Sequence, residues 1–158
     1  MTDVPFHRYH KKVNAHFLKG TLLAVFRWIM WWGVAVYVAG AFWDGRWHQT
    51  HPGMFESVSQ MAYAHFGYWL GITLVLGSAL VTIRRTPPGP RRSSAMTAAL
   101  ASSVSLIGTV WDSYLHATGG NVVPAHVLNW VGLLIALGAI ITFTLLGRRR
   151  DTARTADA

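Results

Sequence analysis

No cysteine occurs among the 158 residues. Disulfides, thiolate metal ligands and iron–sulfur clusters are thereby excluded, while the compartment stays open. Acidic residues are almost as scarce. Asp3, Asp44, Glu56, Asp112, Asp151 and Asp157 are all of them, against 14 Lys and Arg, for a net charge of +8. Such a balance could attract nucleic acid, but the positions of the cations argue against that class. Arg8, Lys11, Lys12, Lys19 and Arg27 lie at the start, Arg84, Arg85, Arg91 and Arg92 in the middle, and Arg148, Arg149, Arg150 and Arg154 at the end. Only Arg46 falls elsewhere.

Between those clusters the chain is apolar, 52% hydrophobic as a whole. Four stretches, at 21–43, 58–83, 95–116 and 122–146, are long enough to cross the hydrocarbon core as helices. The third is diluted by Ser102, Ser103 and Ser105. The first is too long for a signal peptide, carries Arg27 and a run of tryptophans, and lacks a small-residue cleavage site, so it reads as a retained span. The expected architecture is all-α, an integral membrane four-helix bundle with no separate soluble domain. The basic clusters then place both termini and the middle loop on the cytoplasmic side of a cell (inner or plasma) membrane. Anionic lipid headgroups are their natural partner.

By this reading residues 1–20 form a cytoplasmic leader, a short amphipathic helix in the interface. Residues 21–85 are a first hairpin, 86–94 a proline-rich loop that ends a helix, 95–147 a second hairpin, and 148–158 a disordered basic tail.

The two hairpins resemble each other. "GAFWDGRWH" at 40–48 matches "GTVWDSYLH" at 108–116, and "AHFGYWLGITLVLG" at 64–77 matches "AHVLNWVGLLIALG" at 125–138. Apolar matches between membrane helices carry little information; Trp-Asp-x-x-x-His followed by His-x-x-x-Trp-x-Gly carries much more. The expectation is two tandem helical-hairpin repeats in parallel orientation, related by a pseudo-twofold axis along the membrane normal. The recurring glycines would let helices approach closely.

Each half holds Asp and His four residues apart, on one face of a helix if the helix continues through them. Asp44 and His48 would present an oxygen and a nitrogen to one point, as would Asp112 and His116. The returning spans bring back His65 and His126. One Asp and two His per half is a donor set suited to copper(II), iron or zinc, with positions left open for oxygen or substrate. One dinuclear centre, two mononuclear sites and one degenerate pair all fit this pattern.

Plainer roles compete. An Asp near a helix end can cap a turn or pair with Arg46. Trp43, Trp47 and Trp111 suit an interfacial aromatic belt. Gly71 and Gly132 suit packing. His51 and Glu56, without counterparts in the second half, are extra ligands at most, and His7, His10 and His16 are expected to face headgroups. Repetition of the whole Asp/His set favours the metal reading.

Asp-x-x-x-His at a helix end, followed by a His on the next segment, resembles the metal site in the C subunit of copper membrane monooxygenases, the particulate methane and ammonia monooxygenases. Asp44, His48 and His65 match that pattern, and Asp112, His116 and His126 match it again. Spacing to the second His is wider than the family's in the first half and narrower in the second. The Trp-Asp-x-x-Trp-His and Pro-x-His elements also resemble a group of uncharacterised bacterial membrane proteins.

The resemblance implies copper or iron and oxidation of a small apolar or lipid-phase substrate, by this chain or by a complex in which it is one subunit. Other membrane subunits or further copies of the chain would then be its partners. Two alternatives remain at this level. One is a b-type cytochrome with bis-His haem b as electron carrier; the other is a non-catalytic metal-delivery, assembly or structural subunit.

Overall fold

The structure, a computed structural model, describes residues 6–51, 57–120 and 122–156, with side chains over 20–149 of these apart from Val58. Five helices account for nearly all of it: α1 (Phe6–Thr50), α2 (Val58–Ala64), α3 (Phe66–Arg85), α4 (Pro90–Thr118) and α5 (Val123–Ala156). Segments of four, Gly20–Thr50, Phe66–Arg85, Pro90–Thr118 and Val123–Arg149, are long and apolar enough to cross a membrane. Their outward side chains include Trp28, Trp32, Phe42, Leu100, Ile107 and Leu134, all well exposed. A bundle in water hides such residues; this surface suits lipid.

Four boundaries differ from those expected. The leader is not a separate short helix, since α1 runs unbroken from Phe6 into the first span. Nothing in 6–20 before Gly20 can stop a helix. The expected second span divides at His65 into α2 and α3. The middle loop is shorter than expected, because Pro90 starts α4 rather than blocking it. A first-turn proline loses no helical hydrogen bond, and Gly89 supplies the φ of 138° that turns the chain. Residues 148–156, expected as a disordered tail, continue α5. Arg and Ala favour helix, and cations suit a helix C-terminus.

α3 packs along α1 on one side and along α4 on the other, and α4 packs along α5, while the backbones of α1 and α5 meet little. The serines that dilute the third span are part of this packing. Ala95, Ala98, Ala99, Ala101, Ser102, Ser105, Gly108 and Thr109 are buried on α4, a small-residue surface that admits neighbours closely. Met30, Val75, Ala79, Ala98, Ile140 and Phe143 fill one end of the bundle. Tyr37, Tyr68, Ile72 and Leu133 fill its middle.

Two glycines at corresponding positions of the hairpins meet neighbouring backbone closely. A Cβ on Gly71 would stand 2.5 Å from the Tyr37 nitrogen and 2.6 Å from the Gly33 oxygen. One on Gly132 would stand 2.6 Å from the Ser105 nitrogen and 2.7 Å from the Ala101 oxygen. Gly77 and Gly138, which recur just as faithfully, have nothing within 4 Å, so the close packing expected of the recurring glycines falls to Gly71 and Gly132 and to Gly40 and Gly108. Backbone cannot yield as a flexible side chain can. Gly71→Ala and Gly132→Ala should therefore each destabilise by about 1–3 kcal/mol. Gly77→Ala and Gly138→Ala should be neutral or gain up to ~1 kcal/mol. Thermal unfolding of the detergent-solubilised variants checks the contrast.

Candidate metal centre

Asp44 and Asp112 lie on α1 and α4 about six residues before each helix ends. Each carries its histidine one turn on. His48 Nε2 is 3.3 Å from Asp44 Oδ1, and His116 Nε2 is 3.6 Å from Asp112 Oδ1. From α5, His126 Nε2 comes to 3.4 Å from Asp112 Oδ1. His65, at the break between α2 and α3, reaches both acids: its Nε2 is 3.5 Å from Asp44 Oδ1 and 3.2 Å from Asp112 Oδ2. All six residues singled out from the sequence therefore converge on one cluster. The rings follow, with His48 and His116 stacked at 5.0 Å between centroids and 18° between planes.

The chain builds His65 into this position by interrupting itself. Ser57 opens α2 with a capping box, its hydroxyl accepting from the Gln60 N–H while the Gln60 side chain accepts from the Ser57 N–H. α2 ends at Ala64, and His65 takes φ −92° and ψ 3° as the joint between helices. That sparsely populated bridge conformation turns its side chain fully inward. The Nδ1–H donates to the Met61 carbonyl at 3.0 Å. A carbonyl only accepts, so the proton of a neutral ring is on Nδ1, and Nε2 presents a lone pair. That lone pair faces two carboxylates.

These contacts do not have the form of hydrogen bonds. Asp44 Oδ1, His65 Nε2 and Asp112 Oδ1 are buried, and none has a hydrogen-bond partner of acceptable geometry among the described residues. Four of the five N···O separations, at 3.3–3.6 Å, exceed the usual hydrogen-bond length, and the fifth, at 3.2 Å, lies at its upper limit. They match the edge of a tetrahedron of ligands about 2.0–2.1 Å from a central ion, which is about 3.3 Å. His48, His65 and His116 form one group able to hold an ion, and Asp112, His116 and His126 form another.

Depth follows from helix length. Phe66–Arg85 has 20 residues, roughly 30 Å at 1.5 Å per residue, the thickness of the hydrocarbon core. Arg84 and Arg85 stand at one end of α3 and His65 at the other. The two carboxylates are almost fully buried, while the side chains of His48 and His126 are 37% and 33% exposed. The centre is closed toward the lipid and open toward the helix ends.

Beneath it lies a polar layer that the sequence reading missed. Asn129 Oδ1 accepts from Tyr37 Oη, from Ser105 Oγ at 2.6 Å and from Thr109 Oγ1 at 3.2 Å. Tyr68 packs between Tyr37 and His65, with ring centroids 4.8 and 5.9 Å away. The available signal was a lone Asn inside an apolar span, at the position where the other half has Tyr68.

The competing assignments resolve as follows. Asp44 pairs with His48 and His65 rather than with Arg46. His51 stays outside the cluster, stacked on Trp47 at 4.0 Å, because α1 turns it away from the bundle. Glu56 lies outside the described residues, as do the side chains of His7, His10 and His16. Trp43 and Trp111 point outward. A separate apolar groove of about 430 Å³ opens on the flank of α1, α2 and α3, lined by Val36, Ala39, Trp43, Tyr63 and Phe66 over a floor of Gly40 and Gly67.

Asn129→Ala should strip the acceptor from the buried Tyr37 and Ser105 hydroxyls, while Thr109 keeps the Ser105 carbonyl at 3.0 Å, at a cost of about 1–3 kcal/mol. Tyr37→Phe, which removes one donor and leaves Asn129 served by two others, should cost less. Melting temperatures of the two purified variants check the order.

The chain matches no protein-family model, no curated protein and no solved structure.

Proposed function

We propose that this chain is a four-span membrane metalloprotein built from two tandem helical hairpins in parallel orientation. Its Asp44, His48, His65, Asp112, His116 and His126 hold copper or iron at the outer edge of the bilayer. The work of the centre is oxygen-dependent oxidation of a small apolar or lipid-phase substrate, by this chain or by a larger membrane complex containing it. Both termini face the cytoplasm.

One observation carries the metal reading. His65 is fixed by Met61 so that an Nε2 lone pair looks at two buried carboxylates. Lone pair against carboxylate is repulsive unless a cation stands between. A proton could relieve His65 alone, but three further imidazoles turn Nε2 to the same acids at ligand-edge distances. A metal ion accounts for them together. Zinc fits this donor set as well as copper or iron does; the oxidative role selects the redox-active ions. Bis-His haem needs two imidazoles on opposite faces of a flat macrocycle, whereas these four gather around carboxylates. The apolar groove beside Trp43 and Phe66 supports a substrate that arrives through lipid.

The tandem arrangement is supported by packing as well as by sequence. Gly71 seats against Gly33 and Tyr37, and Gly132 against Ala101 and Ser105, which are corresponding positions of the two halves. The same holds for Gly40 beside Tyr68 and Gly108 beside Asn129.

Protein purified without chelators should contain copper or iron by elemental analysis and show no Soret band. His65→Ala and His116→Ala should each lower metal affinity at least tenfold, as removal of a ligand removes more than loss of an outer partner does. Oxygen uptake with a small alkene and a reductant should follow metal content. A Soret band, or protein that takes up no ion from added copper or iron salts yet melts unchanged, would overturn the reading; stoichiometric metal without oxygen uptake would reassign it to metal delivery. Orientation has its own test. In a chain without native cysteine, Thr118→Cys should react with an impermeant maleimide on intact cells and Pro88→Cys only after permeabilisation.

A further inference from the structure

We infer that the centre holds two metal ions side by side, joined by the Asp112 carboxylate, one ion on each hairpin. The inference rests on the metal-centre reading above and adds how many ions there are and what links them.

The six donors do not form one shell. The first hairpin closes its own three: Asp44 Oδ1 lies 3.3 Å from His48 Nε2 and 3.5 Å from His65 Nε2. The second hairpin closes another three, with Asp112 Oδ1 at 3.6 Å from His116 Nε2 and 3.4 Å from His126 Nε2. Each set is two imidazoles and one carboxylate, sufficient for one ion with positions to spare. Of the groups able to hold an ion, one joins His48 and His65 to His116 of the second hairpin, and the other is the second hairpin's own Asp112, His116 and His126, so that His116 is within reach of both.

The link between them is the use of Asp112. Its Oδ1 serves the histidines of its own hairpin, and its Oδ2 turns to His65 of the other, at 3.2 Å. A carboxylate that gives different oxygens to two ligand sets is a bridge between two ions, an arrangement that holds them roughly 3.5–4 Å apart in two-metal sites. Asp44 makes no corresponding contact: Oδ1 is its oxygen in both of its described pairs. The asymmetry has a backbone cause. His65 sits on a break between helices and is completely buried, whereas His126 is carried inside continuous α5 and stays a third exposed. His65 is the imidazole that reaches the carboxylates of both hairpins.

The test uses the full chain in detergent or nanodiscs, stripped and then dialysed against Zn(II) for counting or Mn(II) for spin resonance. Two Zn(II) per chain are expected, falling to one in His48→Ala and to one in His126→Ala, the two most exposed ligands and so the least disruptive to remove. Mn(II)-loaded protein should give the signal of an exchange-coupled pair, and Asp112→Asn should abolish the coupling. One ion per chain, lost in either variant, would overturn the two-ion inference and leave the metal-centre reading standing. No ion would overturn both. Two ions that persist in His48→Ala, or that give only the signal of isolated Mn(II), would overturn the bridge. Ion counting and spin resonance on the unaltered chain decide the matter even where a variant fails to fold.

Discussion

Two carboxylates are buried at the edge of a lipid-facing bundle, and most of what is unusual in this structure answers that one electrostatic fact. Removing an ionised carboxylate from water costs several kcal/mol even after the protein relaxes, and acids inside membranes are tolerated only with partners. Among the described residues no lysine or arginine is paired with Asp44 or Asp112; their partners are imidazoles. Imidazole is a poor counter-charge unless protonated and a good ligand when neutral. The choice of partner therefore favours an ion as the source of positive charge over a conventional salt bridge.

The scaffold is arranged to keep those groups close without letting water in from below. Small residues on α4 and the seating of Gly71 and Gly132 bring backbones together, so that ligands on different helices converge from short side chains. Below them the Tyr37, Ser105 and Thr109 hydroxyls share one acceptor, Asn129 Oδ1. Such a layer is costly when partly satisfied and rigid when complete. It fixes the floor of the centre.

How much of this was legible in the sequence depended on residue type. Asp44, His48, Asp112 and His116 could be placed on one face from spacing alone, because a helix puts residues four apart above one another. His65 and His126 were recoverable only through the repetition between halves. What spacing could not show was the break at His65, since no glycine or proline marks it and the Ser57 cap that starts the short helix lies upstream. Asn129 escaped for the opposite reason: it departs from the repeat, and a search for matches passes over the residue that differs. Ser102 and Ser105 misled in a third way. Hydropathy counts them as weakening a span, while packing uses them as small residues in its interior.

The apolar groove and the centre lie on opposite sides of the α1–α3 crossing, and this limits how the proposed chemistry can work. Trp43 and Asp44 are neighbours in sequence, but a helix separates their directions by about 100°, so Trp43 lines the groove while Asp44 turns inward. Between them, Gly40 and Gly67 put backbone against backbone, leaving no passage through the wall. His48, the most exposed member of the cluster, lies one turn beyond Asp44 toward the end of α1. Among the described residues an apolar groove and a polar cluster thus lie on different faces of α1. That division also explains why His48 and His126 are partly exposed while His65 and both acids are not: the buried members fix the position of the centre, and the exposed pair marks where it opens.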